Sequence, residues 1–257
     1  MMKKQGFTLA EVLITLTIIG VIATMTLPAL MTNTQEQQAK TGLKKGINTL
    51  TEAAQMHEAI EGFNYASLSD NSVVAKINET SWTEGEGDKE EEKSGNSVKS
   101  LAGMLRERTK IDIGKTMDAA EEGASTITVG AGTDASPAGT NPQVIYFADG
   151  SALIFDDSKV TSQTTDVGSD GLATGFTVVY DTNGLKGPNQ LSNCSAKRTG
   201  GLDADVKTDE GEVETEASNI KLCEKKDQRV IKDQFTLKLR GNVVEPEGAA
   251  ATWAFGI

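Results

Sequence analysis

Residues 6–30, GFTLAEVLITLTIIGVIATMTLPAL, form an apolar stretch that carries one ionisable side chain, Glu11. As a helix these 25 residues would extend roughly 37 Å at about 1.5 Å per residue, against a hydrocarbon core of about 30 Å. The stretch can therefore cross a bilayer with some tilt. A carboxylate inside such a segment costs on the order of a few kcal/mol at mid-membrane and less near an end, so it needs a partner or a proton. Its cost marks Glu11 as a functional residue.

The flank sets the orientation. Lys3 and Lys4 precede the apolar run with no acid beside them, which holds the N-terminal arm in the cytoplasm and puts the rest of the chain outside it. In the frame KKQGFTLAEVLITLTIIGVIA, the residues Gly6, Phe7 and Glu11 resemble the prepilin class III signal, and the chain is similar to type IV pilins and type II secretion pseudopilins. The likeness joins a basic leader, a Gly-Phe junction, a glutamate five residues into the mature chain and an uninterrupted apolar run. An ordinary signal peptide has an apolar region of only about 7–15 residues before a small-x-small site. Here the run is longer and begins with a glutamate.

The resemblance implies a set of roles. A membrane-embedded prepilin peptidase and methyltransferase cuts after Gly6 and methylates the new terminal amine of Phe7. Glu11 then lies one helical turn along, where its carboxylate pairs with the terminal amine of a neighbouring subunit, since opposite charges attract strongly in a low-dielectric bundle. The implied partners are other pilin or pseudopilin subunits, the inner membrane and assembly platform proteins. Pro28 is the expected helix kink, with Gly20 a second weak point upstream.

Past Pro28 the helix is expected to resume, because 33–59 lacks proline and is rich in Gln, Lys, Ala and Glu. Leu43, Ile47, Leu50 and Ala54 recur at helical spacing and form a stripe that needs a cover. His57, the only histidine, is expected at a surface or boundary, with no second histidine or nearby cysteine to complete a metal site. A short amphipathic helix carries Val98, Leu101 and Leu105. Residues 123–142 are rich in Gly, Ala, Ser and Thr and read as loop.

Strand signals follow. QVIYFADGSALIFDD, 143–157, holds two apolar runs around Ala148-Asp149-Gly150-Ser151, a hairpin whose glycine takes positive φ at no steric cost. Further strands are expected at GFTVVY, 175–180, and QFTLKLR, 234–240. The predicted fold class is α+β: a long N-terminal helix, transmembrane in its first half, packed on an antiparallel sheet of about four strands whose other face meets solvent, a pilin-like arrangement. The expected organisation is a cleaved leader at 1–6, a transmembrane and assembly helix at 7–30, its amphipathic continuation at 31–60 and an extracytoplasmic head at 61–257.

After the third strand, Asp181-Thr182-Asn183-Gly184 and Gly187-Pro188-Asn189, with Asp233 and Phe235 later, resemble a pattern of the C-terminal halves of pseudopilin-like proteins. A long insertion separates Asn189 from Asp233. Asp181, Asn183 and Asp233 offer hard oxygens of the kind that calcium takes, but calcium wants about six to eight and these are three. Asp-x-Asn-Gly is also ordinary turn chemistry, and no metal or cofactor is expected. The insertion holds Cys194 and Cys223. In a chain delivered outside the cytoplasm, two cysteines most simply form one disulfide, as the C-terminal disulfide loops of pilins also imply. Closing that loop contributes about 3.5 kcal/mol by the chain-entropy estimate.

The acidity is local. Residues 79–93 hold seven acids and two lysines, and 203–216 hold seven acids and one lysine, so these segments carry −5 and −6 of the formal −12. The remaining scaffold is nearly neutral and offers no basic stripe for counterion release, so no nucleic acid is expected as partner. Gly-x-Ser-x-Gly, phosphate-loop, His-Glu-x-x-His and dinucleotide signatures are all missing from the sequence, which argues against an enzyme. Two readings of different class remain: a filament subunit processed at Gly6-Phe7, or a membrane-anchored extracytoplasmic binding protein that uses the helix as a tether.

Overall fold

The computed structural model describes residues 8–62, 64–68, 101–112, 115–116, 142–156, 160, 175–194, 216–226 and 229–256. Contacts divide the chain into two compact units, Met1–Gln38 and Ala39–Ile257. Helix α1 is Leu9–Glu61, and its backbone stays helical across Gly20 and Pro28. Between Glu11 and Glu36 it carries no charged residue. In the first unit its apolar side chains, Leu13, Ile14, Ile18 and Ile22 among them, lie exposed.

The second unit is built on a sheet. Strands β1 (Pro142–Tyr146), β2 (Ala152–Asp156), β3 (Phe176–Asp181), β6 (Gln234–Arg240) and β7 (Val243–Pro246) lie in the order β1-β2-β3-β6-β7, every pair antiparallel. Strands β4 (Asn193–Cys194) and β5 (Arg229–Val230) form a separate two-stranded ribbon. Helices α2 (Leu101–Arg108), α3 (Glu216–Glu224) and α4 (Ala249–Phe255) complete the described elements. This is the α+β, pilin-like order, an apolar N-terminal helix followed by an antiparallel sheet.

The stripe on α1 is covered as its spacing requires. Leu43, Ile47, Leu50 and Ala54 are buried in one core with Leu101 and Leu105 of α2 and with inward residues of the sheet such as Phe155, Tyr180 and Leu237. Gly42 and Gly46 allow the helix close to the sheet: a Cβ on Gly42 would meet Thr182 Cβ at 2.8 Å, and one on Gly46 would run into the Tyr180 ring. Tyr65, in a 3-10 turn at Tyr65–Ser67, returns under the helix end, donates its hydroxyl to Leu50 O at 2.8 Å and meets Phe176 edge-on. Burial pushes its phenol well above the ordinary range.

The β1–β2 hairpin turns where expected. Gly150, at φ 91°, donates to Phe147 O at 3.0 Å, and the Asp149 carboxylate accepts from Ser151 N at 2.9 Å. Burial alone would raise that carboxyl, but Lys45 and Ser151 hold it below the usual carboxylate range.

Three expectations are corrected. The sheet has five strands, because Val243–Pro246 turns back onto β6 through Gly241, whose φ is 55°. The outer face of β1, β2 and β3 is not open to solvent: Val144, Tyr146, Ala152, Ile154 and Val179 form a second buried cluster. The sequence carried this signal, since VIYF and ALIF are continuous apolar runs of the kind strands covered on both faces show, whereas QFTLKLR alternates. His57 is fully buried rather than at a boundary, because it falls on the helical stripe three residues past Ala54. Its Nδ1 accepts from Arg108 Nε at 3.3 Å. The expected acidic segment at 79–93 lies outside the described residues, as do Val98, the segment 203–216 apart from Glu216, which begins α3, and the low-complexity stretch 123–142 apart from Pro142, which begins β1.

Candidate functional site: the N-terminal helix and the Asp181–Asp233 corner

The first site is the start of α1. Thr8 N and Thr8 Oγ1 both donate to Glu11 Oε2 at 2.8 Å, and Glu11 N donates back to Thr8 Oγ1 at 3.3 Å. This reciprocal pair is a capping box, in which the first helical N–H groups find side-chain acceptors. Reading the glutamate only as an expensive charge misses this role, although Thr8-Leu9-Ala10-Glu11 fits the Thr-x-x-Glu signature. Gly6 and Phe7 lie outside the described residues; Pro28 stands inside the helix.

The apolar segment Leu9–Leu27 is long and apolar enough to cross a membrane. Its threonine hydroxyls are bonded within the helix: Thr15 Oγ1 to Val12 O at 2.9 Å, Thr17 Oγ1 to Ile14 O at 2.8 Å, Thr24 Oγ1 to Val21 O at 2.9 Å and Thr26 Oγ1 to Ile22 O at 3.1 Å. Donation to a carbonyl three or four residues back gives each hydroxyl a partner without water. Glu11 is thus the one ionisable group in an otherwise self-satisfied segment.

The second site is the corner where β3 ends. Asp181 Oδ1 accepts from Asn183 N at 3.0 Å and Gly184 N at 2.8 Å, and its Oδ2 accepts from Gln234 Nε2 at 3.0 Å. Asp233 Oδ2 accepts from Asn189 N at 2.8 Å and its Oδ1 from Gln190 N at 2.9 Å. The first half of the pattern, Asp181 to Asn189, therefore meets its second half at Asp233 despite the insertion between them. Asn189 adopts φ 48°, and its amide, oriented to satisfy its neighbours, donates to Gly184 O and Lys186 O. Gly187–Pro188 is cis.

Both carboxylates are thus engaged by N–H donors, which is turn chemistry. Of Asp181, Asn183 and Asp233, only Asn183 keeps a buried side-chain oxygen, Oδ1, with no donor among the described residues. Among the described residues no group of three or more His, Cys, Asp or Glu is placed to hold a metal ion.

Burial pushes the Asp181 carboxyl up to about 6 from 3.8, against the N–H bonds from Asn183, Gln234 and Gly184 and with a further push from the Asp233 charge. The native chain therefore holds this proton at a pH where the unfolded chain has released it. Stability from Asp181 is fully present below pH 3.8 and is lost as pH rises through about 6. Relative to Asp181→Asn, the wild-type unfolding free energy should fall by about 3 kcal/mol across that window and run parallel above it. Urea unfolding of both chains at stepped pH tests this; parallel curves throughout would refute it.

Cys194 on β4 and Cys223 on α3 are bonded as a disulfide, with Cα atoms 5.1 Å apart. They pack with Ala250 of α4 and with Trp253. Two cations lie over the Trp253 ring, Lys40 Nζ at 3.4 Å and Arg229 Cζ at 4.4 Å from its centroid. This ties α1, the ribbon and the C-terminal helix together.

Residues 1–27 match the family described as the prokaryotic N-terminal methylation motif, the class III signal of type IV pilins and pseudopilins. No curated protein and no solved structure matches the chain.

Proposed function

We propose that this chain is the precursor of a structural subunit of a type IV pilus or a type II secretion pseudopilus. Prepilin peptidase removes 1–6 after Gly6, Phe7 is N-methylated, and the exposed apolar half of α1 holds the subunit in the inner membrane. The head stays on the extracytoplasmic side until α1 assembles with other subunits on the platform proteins. The observation that supports this best is the methylation motif over residues 1–27, joined to an apolar segment with no buried residue at Leu9–Leu27. The role is structural, with no catalytic step assigned to the chain.

Mass spectrometry of the N-terminal peptide from the membrane fraction tests the proposal. The expected result is a chain that begins at monomethylated Phe7. A retained Met1, or a cut beyond Ala29, would replace it with the reading of a tethered extracytoplasmic binding protein.

A further inference from the structure

A cavity of about 440 Å³ opens between α1, the segment that follows α2 and the β1–β2 turn. Its apolar surface includes Leu50, Phe147 and the Tyr180 ring, and Gly46 contributes no side chain to fill it. The frame is held by main chain: Ala148 N donates to Lys110 O at 2.8 Å, Asp112 N donates to Tyr146 O at 2.7 Å, and Ile111 bridges Phe147. The space is therefore preformed.

Its charge runs against that of the chain. Lys45, Arg108 and Lys110 line it, with Asp149 the single acid among the lining residues, in a protein of formal net charge −12. Lys45 bonds Asp149 at 2.8 Å, and Arg108 reaches Glu61 at 3.4 Å and His57 at 3.3 Å. That leaves Lys110 as the surplus cation, exposed and without a carboxylate among the described residues. An apolar, aromatic-walled space with a positive rim fits a ligand that has an apolar body and one negative end.

We propose that this cavity is a binding site for a small amphiphilic anion, an aromatic body carrying one carboxylate. The ring enters between Leu50 and Phe147, and the carboxylate meets Lys110 at the mouth. Nothing in this assignment depends on filament assembly.

The test uses the full chain in detergent micelles, followed by amide NMR shifts during titration with indole-3-acetate. Saturable shifts should cluster at Thr49, Ala148 and Ser151. Uncharged indole-3-acetamide and the Lys110→Glu chain should each bind about fivefold more weakly or worse, the size of one exposed charge interaction. Ala148→Trp, at an exposed turn position, should fill the space and abolish the clustered shifts while leaving the rest of the spectrum in place. Equal binding of acid and amide, or shifts confined to 9–31 from micelle partitioning, would overturn the proposal.

Discussion

A Glu11→Ala chain is expected to reach the membrane as well as wild type and to be reduced at least tenfold in sheared filaments. Removing the carboxylate eases insertion, because a charge in an apolar segment is costly. In a filament the same change would leave the methylated amine of Phe7 buried without its counter-charge. Breaking a buried pair by removing one partner costs about 3–5 kcal/mol, well over a hundredfold per contact. The capping box complicates the reading, since alanine also removes the acceptor for Thr8, worth about 1 kcal/mol. Glu11→Gln separates the two effects. Glutamine serves in a capping box but carries no charge. If the amine pair governs incorporation, Gln fails as Ala does; if the cap governs it, Gln restores filaments. Normal incorporation of the alanine chain would remove both explanations.

Asp233→Ala is expected to lower unfolding free energy by about 3–5 kcal/mol, the loss of two N–H bonds to one buried carboxylate. The donors, Asn189 N and Gln190 N, have fixed backbone positions and cannot turn to solvent without moving the loop. Thr182 N and Thr182 Oγ1 bond the Asp233 carbonyl, so those links survive and the loss is specific to the side chain. Asp233→Asn keeps one acceptor oxygen and should recover about half of the loss. Denaturant unfolding of the three chains in micelles measures it; a loss below about 1 kcal/mol for alanine would show that water replaces the carboxylate.

The features legible in the sequence are those with a local physical signature. Leu43, Ile47, Leu50 and Ala54 could be placed because helical spacing puts them on one face, and the hairpin because Asp149-Gly150 favours one turn. The meeting of Asn189 with Asp233 was visible only as a pattern of residues; the partner of each carboxylate oxygen is a backbone N–H, which residue types do not reveal. Strand β7 ends in Pro246 and is four residues long, and α4 is AAATWAF, short and without a capping side chain, so neither rises above the loop signal around it. The burial of His57 is not legible in the sequence, because a polar residue on an apolar stripe is buried when a partner awaits it, and Arg108 is 51 positions away. Glu11 stands out in the sequence for its cost, whereas its cap is written only in the spacing of Thr8 and Glu11.

The threonines of α1 bear on how such a helix can change its surroundings. Because Thr15, Thr17, Thr24 and Thr26 already give their hydrogens to carbonyls of their own helix, they ask nothing of whatever lies outside it, whether acyl chain or another helix. Moving this segment from lipid to a protein bundle would then exchange one apolar environment for another along most of its length. The energetic difference between the two settings is concentrated at a single address, the carboxylate of the first turn. A segment built this way makes its one polar demand on its surroundings at Glu11.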